Sequence, residues 1–362
     1  MSKAAELAAL IGSQSSLTNR NMIINGDMAV AQRATSATGL GASTGYHTVD
    51  RFVTEFTTSG RMTQSQAAIT DLPGFNYALK CDCTTADTSV DAAEYTLINQ
   101  RMEGYTVNRL ASGTSSAKSS TVSFYVKGNA SATYVVELIK AGDRHINKTF
   151  SVTTSWSRVS ITFDGDTTTQ LAQDNTQELS VNIWIHAGSN YTSGSLQTSW
   201  GAYTAANRAV GISSFFDSTD RELFITGMQY ELGEVATPFE HETFADNLAK
   251  CQRYFYKYIS NHDYGPLGAN GMQINTNSSS GVMYQGQHPV TMRTGPTMAY
   301  GGSWNAEVAT GNGSFSLAGS VRSSDLFWQS QEAIGDGGAN GYAAIVYASG
   351  DDDAFLSGDA EL

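Results

Sequence analysis

Short runs in which apolar side chains recur at every second position dominate this chain. Val122, Phe124 and Val126 alternate with polar or half-polar neighbours, as do Tyr134, Val136 and Leu138, then Val159, Ile161 and Phe163, then Val181, Ile183 and Ile185. A two-residue period puts each set on one face of a pleated strand and the intervening residues on the other. Trp184 lies in the opposite phase to Val181 and Ile183, so its ring is expected to face outward or into an interface. Loops of Gly, Ser, Thr and Asn separate the runs. No long helical period alternates with them, which argues against a parallel sheet with crossover helices. Spacings of roughly twenty residues leave room for hairpins and suit two antiparallel sheets packed face to face. The expected fold class is therefore all-β.

Length and charge bound the rest. A chain of 362 residues is long for one domain and comfortable for two. With 40% hydrophobic and 15% charged residues it can bury a sizeable core. Lys+Arg 21 against Asp+Glu 34 gives a net charge of −13, which favours solubility and argues against phosphate neutralisation, so no nucleic acid is expected as a partner. No apolar run reaches about 18 residues, so no membrane insertion is expected, and no basic-then-apolar leader opens the chain. Cys81, Cys83 and Cys251 offer neither a disulfide framework nor a zinc signature and are expected to be buried or half-buried free thiols.

The chain divides by composition into three parts. Residues 1–20 are expected to hold a short helix, capped by Ser2 and closed by Gly12, with Leu7, Leu10 and Ile11 on one narrow apolar stripe. A helix this short needs a partner surface; the alternative is a frayed terminus. Residues 21–245 are expected to form a jelly-roll β-sandwich of the kind seen in carbohydrate-binding modules. Residues 246–362 are expected to form a smaller, Gly-rich C-terminal β-sandwich, its last strand near residues 341–349. Its thin core and open edges would be covered by trimerisation.

Chemistry is sparse. No Gly-x-Ser-x-Gly elbow occurs, and His47, His145, His186, His241, His262 and His288 are scattered without metal-ligand spacing. No catalytic residue, metal site or cofactor is expected, and the chain is not expected to be an enzyme. Asp164-Gly165-Asp166 and Asp351-Asp352-Asp353 lack the rest of a calcium loop and are expected to be solvated turns, with a structural calcium as the alternative. Residues 335–341, rich in glycine, are expected to form an exposed loop. Aromatic side chains are the better lead, because the C–H faces of sugar rings stack on them. Tyr284, Trp304, Trp328 and Tyr342 are the glycan-binding candidates, with Phe327 close by; Trp156, Trp184 and Trp200 are offered by the first sandwich. The alternative for each is packing in a core or an interface.

Several segments resemble tail-fibre and other virion fibre proteins of tailed bacteriophages. They are Ile225-Thr226-Gly227-Met228-Gln229-Tyr230-Glu231-Leu232-Gly233-Glu234-Val235-Ala236-Thr237-Pro238-Phe239-Glu240-His241, followed by Leu248-Ala249-Lys250-Cys251-Gln252-Arg253-Tyr254-Phe255, and the opening Asn19–Arg33 stretch. Val122–Lys127, His288–Met298 and the closing Asp359-Ala360-Glu361-Leu362 are similar too. In residue terms, Leu223–Tyr230 is expected to be a strand with Leu223, Phe224, Ile225, Met228 and Tyr230 against packed neighbours, ended by Pro238. Asn19–Arg33 is expected to be an opening strand, and Leu248, Cys251 and Tyr254 or Phe255 to form one stripe of a short helix. The resemblance implies a homotrimeric structural virion fibre, assembled in the bacterial cytoplasm and anchored to other virion proteins through Leu7, Leu10 and Ile11. Its C-terminal tip would meet a bacterial surface glycan. The alternatives are a capsid decoration fibre with little receptor binding, or a carbohydrate-degrading fibre enzyme.

Overall fold

Thirteen strands build the first part of the chain: β1 (Ser36–Leu40), β2 (Gly45–Tyr46), β3 (Val53–Thr57), β4 (Arg61–Ala68), β5 (Tyr77–Thr85), β6 (Tyr95–Glu103) and β7 (Ser120–Gly128), then β8 (Ala132–Lys140), β9 (Arg144–Val152), β10 (Ser157–Phe163), β11 (Gln177–Ala187), β12 (Gly201–Ala202) and β13 (Glu222–Leu232). They come from a computed structural model that describes residues 19–260, 275–277, 281–308, 311–315, 322–333, 344–348 and 353–362. The chain divides into two compact units, with the boundary between Asn247 and Leu248. The expected N-terminal helix, with Leu7, Leu10 and Ile11, lies outside the described residues, as does the glycine-rich stretch 335–341.

In the first unit the strands form two antiparallel sheets. One has six strands in the order β1-β4-β5-β13-β7-β10, the other seven in the order β12-β9-β8-β11-β6-β3-β2. Every alternating set read from the sequence faces the space between them: Val122, Phe124 and Val126 from one sheet, Tyr134, Val136, Leu138, Val181, Ile183 and Ile185 from the other. Cys81 and Cys83 are buried free thiols in the same core. Burial pushes the Cys81 thiol up to about 12, so it stays protonated and packs as a small apolar group. The fold is all-β, as the patterning predicts.

β13 departs from simple alternation at Gly227. Leu223 and Ile225 point into the core, and so do Met228 and Tyr230, although the two pairs differ in parity. The register against β7 shifts between Thr226 and Gln229, and Gly227 has φ +61°. A bulge there inserts one residue and turns the later side chains inward again. Phe224, expected to pack inward, instead stands half-buried on the outer side of the sheet. The strand ends at Leu232, before Gly233 with φ +108°, and not at Pro238.

The Asn19–Arg33 stretch is not the expected opening strand. It has no strand residues, and Asn25 and Met28 have φ near +60°. Side chains hold it in place of a ladder. Asn25 accepts from Val30 N at 2.9 Å through Oδ1 and donates through Nδ2 to the carbonyls of Val30 at 2.8 Å and Asp50 at 3.0 Å. Asx side chains tolerate the left-handed region and bond the nearby backbone, which favours a tight loop over a strand. The helix Phe244–Gln252 then follows, with Cys251 buried.

Among its described residues the second unit contains three small antiparallel sheets. Phe355–Asp359 lies between Phe255–Ile259 and Thr297–Gly301. Asn275–Asn277, Gly281–Gln287, Phe327–Ala333 and Arg322–Ser323 form the second, and Gly311–Phe315, Trp304–Val308 and Ala344–Ala348 the third. One strand more than expected follows residue 349, namely Phe355–Asp359. Of His288–Met298, only Thr297 and Met298 belong to a strand. Tyr256 and Met292, both buried, pack together in this unit, and the Tyr256 hydroxyl meets His288 Nδ1 at 2.9 Å.

Candidate functional site

The two outer faces of the first sandwich are treated differently by the chain. Outward from the seven-stranded sheet point Glu137, Asn182, Trp184 and His186, and the segment 188–213 lies over part of this face. Its Tyr191, Leu196, Ala209 and Ile212 pack on Leu97, Val135 and Trp184, so Trp184 is fully buried. The expectation that Trp184 faces outward from the sheet holds, but its ring reaches no solvent. Beneath the same cover, Glu137 accepts from Arg208 Nε at 2.9 Å and Nη2 at 2.7 Å, His145 Nδ1 at 3.0 Å, Asn182 Nδ2 at 2.9 Å and Trp184 Nε1 at 2.8 Å. Burial works against the ionised carboxylate, yet these donors win and hold Glu137 at about 2. This part of the face is closed over a buried polar network in which both Glu137 oxygens are bonded, while Asn182 Oδ1 is left without a partner.

The outer face of the six-stranded sheet is only partly covered: Ile69, Phe75 and Ala78 form a small buried cluster on it, and Trp156 and Phe224 pack against that cluster while staying part-exposed. Phe224 of β13 stands directly opposite Lys127 of β7 on one side and Lys80 of β5 on the other. Trp156 immediately precedes β10 and falls beside Lys127. The Lys127 ammonium lies 5.1 Å from the Trp156 ring centre and 4.9 Å from that of Phe224, and the Lys80 ammonium 5.2 Å from Phe224. The row Trp156–Lys127–Phe224–Lys80 thus crosses four strands with rings and ammonium groups alternating. Period-2 geometry explains it, since each residue is one step out of phase with a core residue: Val126, Ile225 and Leu79 point inward.

Carboxylates fix the row. Asp71 accepts from Trp156 Nε1 at 2.9 Å and from the Lys127 ammonium at 2.5 Å. Lys80 is held between Asp82 and Glu222, each at 2.8 Å. The Lys127 ammonium, with the indole N–H, keeps the Asp71 carboxyl below its ordinary value, and Lys80 does the same for Glu222. Beside the row, the buried Phe75 joins the part-exposed Tyr125 and Phe239 and the exposed His241, with successive ring centres from Tyr125 to His241 5.3, 5.2 and 4.9 Å apart. Half-exposed rings held by ion-paired side chains make a stiff apolar platform bordered by hydrogen-bonding groups.

The aromatic candidates of the C-terminal part are placed differently from the exposed loops expected. Trp304 opens a strand, is 3% exposed and donates from Nε1 to Gly301 O at 3.1 Å. Trp328 lies within a strand, is also 3% exposed, and packs on Gly286, where an added Cβ would come within 2.5 Å of its indole. Neither ring presents a face to solvent, because each fills the space beside a glycine or a turn. Phe327, next to Trp328, is 42% exposed. Tyr284 lies in the strand Gly281–Gln287, and Tyr342 lies outside the described residues. Trp200 bonds Asp164 O at 2.7 Å, under the Lys140 ammonium. Asp166 is not the solvated turn expected: it is buried and paired with Lys140 at 2.5 Å and Arg144 at 2.8 Å. Of the row on the open face, sequence reasoning found Trp156 alone. Phe224 carried a usable signal in its phase opposite to Leu223 and Ile225.

No family model matches the chain, and no curated protein matches it in sequence. Solved structures that the chain resembles include carbohydrate-binding modules. One is the TmCBM61 module in complex with β-1,4-galactotriose, at 9% identity and TM-score 0.30, covering 59% of this chain and 99% of that one. Another is the family 11 module from Clostridium thermocellum in complex with a β-1,3-1,4-mixed-linked tetrasaccharide, at 11% identity and TM-score 0.26, covering 57% of this chain and 99% of that one. A family 30 module is similar at 8% identity and TM-score 0.30, covering 62% and 94%.

Proposed function

We propose that this chain is a non-catalytic structural protein that binds glycans, a virion fibre of a tailed bacteriophage acting as a homotrimer at the bacterial surface. The observation that carries the glycan reading is the row Trp156–Lys127–Phe224–Lys80 on the open face of the six-stranded sheet. Two half-exposed rings offer stacking surface for pyranose C–H faces, while lysine and carboxylate groups stand within reach of their hydroxyls. Lys80 and Lys127 are set against Asp71, Asp82 and Glu222, two positive charges against three negative, so the row favours a neutral sugar over an anionic one. The virion role is supported by the resemblance of Asn19–Arg33 and Ile225–His241 to segments of phage fibres. In this assignment the N-terminal 1–20 segment binds another virion protein.

The deciding experiment presents the purified chain to neutral bacterial surface polysaccharides and compares it with a Trp156→Ala/Phe224→Ala double variant. Saturable binding that the double variant loses supports the proposal. A correctly folded double variant that binds as well as the parent removes the row from the site. Sugar release from the polysaccharide would favour the enzyme alternative, and labelled virions imaged by electron microscopy would separate a tail position from a capsid one.

A further inference from the structure

At one end of the first sandwich, apart from the open aromatic row, three acceptor side chains converge without a lysine or arginine among them. Asp87 follows β5, Glu94 precedes β6 and His186 stands near the end of β11. All three are buried, and one potential ligand atom from each lies within 4.8 Å of the other two. His186 Nε2 is 3.9 Å from Asp87 Oδ2 and 4.0 Å from Glu94 Oε2. The Thr58 hydroxyl adds a fourth oxygen, 3.3 Å from Asp87 Oδ2 and 3.5 Å from His186 Nε2.

Each side chain is already aimed. Glu94 Oε1 accepts from Ser59 N at 2.8 Å and Oε2 from Asp91 N at 2.9 Å. Asp87 Oδ1 accepts from Ser89 N at 3.2 Å, which turns Oδ2 toward the imidazole. His186 Nδ1 lies 2.8 Å from Ser214 Oγ, and the Phe216 ring packs edge-on against the imidazole with centres 5.2 Å apart. A proton on Nδ1, bonded to that hydroxyl, leaves the Nε2 lone pair facing the two carboxylates. Among the described residues no lysine or arginine nitrogen lies within 4 Å of either carboxylate; the nearby Arg61 is spent on the carbonyls of Thr58, Ser59 and Gly60. Two buried carboxylates and an imidazole lone pair repel one another unless a cation or a proton lies between them.

We propose that Asp87, Glu94 and His186, with the Thr58 hydroxyl, form a closed structural site for a divalent transition-metal ion, zinc in particular. One imidazole nitrogen with carboxylate oxygens is a donor set that zinc accepts at about 2.0–2.2 Å, and an orienting bond on the far ring nitrogen is the usual outer-shell support. Ligands at that radius are about 3.4 Å apart around a tetrahedral ion, so the gaps seen here close by about half an ångström on binding. The bound ion ties the β5–β6 connection, which passes from one sheet to the other, to β3 and β11.

The test uses the full chain, stripped with a chelator and titrated with zinc chloride alone by calorimetry, with thermal melting in parallel. The expected result is one zinc per chain, a Tm raised by about 5 °C or more at saturation, and at least tenfold weaker binding in His186→Gln. Absence of stoichiometric binding to the parent chain overturns the proposal. So does unchanged affinity in His186→Gln, or calcium binding here that His186→Gln does not affect. Should His186→Gln fail to fold, the near-isosteric Asp87→Asn and Glu94→Gln decide: full affinity retained in both refutes the site, and a tenfold loss in either supports it.

Discussion

Asn21 and Tyr230, 209 residues apart, are joined by a backbone-to-side-chain bond of 3.0 Å from Tyr230 N to Asn21 Oδ1. Asn21 Nδ2 completes the clamp by donating to Met228 O at 3.1 Å. Met22 N bonds Tyr230 O at 2.8 Å, Asn21 N bonds Glu240 Oε2 at 2.8 Å, and Met228 N bonds Gly26 O at 2.8 Å. The Asn19–Arg33 and Ile225–His241 segments are therefore a single structural lock, in which an irregular N-terminal loop is fastened along β13. Replacing Asn21 by Ala removes three hydrogen bonds at once, counting that from Ile23 N at 3.0 Å. It should cost about 2–3 kcal/mol in urea denaturation. Gly26→Ala should be worse, since its Cβ would meet Met228 O at 2.1 Å. Wild-type stability in both variants would show that the lock is not holding the fold.

Trp156 and Phe224 are part-exposed at the margin of the Ile69–Phe75–Ala78 cluster, so losing either ring should cost the fold less than losing a fully buried ring and weaken sugar contact. Each Ala variant should lose about 1 kcal/mol per stacked ring in glycan affinity, multiplied by avidity in a multivalent assembly. Thermal melting beside glycan binding separates the two effects. Lower Tm with unchanged binding would return these rings to a packing role.

Trp304 and Trp328 should behave the opposite way. As buried rings they should cost about 3–5 kcal/mol of second-unit stability when cut to Ala. If the chain is a virion fibre, adsorption should change only as far as folding does. A stable Trp328→Ala chain with lost adsorption would make that ring a contact residue after all.

Acid should weaken the first sandwich through Glu137. Its carboxyl titrates at about 2 when folded against an ordinary 4.5, so its stabilising effect is complete above about pH 4.5 and disappears as pH falls toward 2. The shift corresponds to about 3 kcal/mol. Glu137→Gln leaves the largely enclosed Arg208 guanidinium uncompensated and should cost about 3 kcal/mol at neutral pH. It should also remove Glu137's share of the acid-dependent loss, leaving the share of Asp166, which its Lys140 and Arg144 partners likewise hold at about 2. A parent-like acid profile in that variant would place the sensitive group elsewhere.

If the chain is a fibre protomer, light scattering on a size-exclusion peak should give three times 38.6 kDa. A mass near 38.6 kDa would refute the trimer.

By itself the sequence determined which side of the regularly alternating strands faces the core. Val122, Phe124, Val126, Val181, Ile183 and Ile185 are buried as their alternation requires, because a period of two is a property of the local backbone and survives any arrangement of neighbours. It did not determine that Gly227 would bulge and restore Met228 and Tyr230 to the core, since a bulge is defined only against a partner strand. What meets the outward side was likewise a tertiary outcome. Trp184 and Phe224 both stand one step out of phase with the core, yet the segment 188–213 buries the first and leaves the second half-open beside Lys80 and Lys127. His186 reaches Asp87 and Glu94 only because β11 lies beside β6, across nearly a hundred residues of chain that no spacing rule spans. Periodicity reports the direction of a side chain, whereas its company depends on long-range pairing.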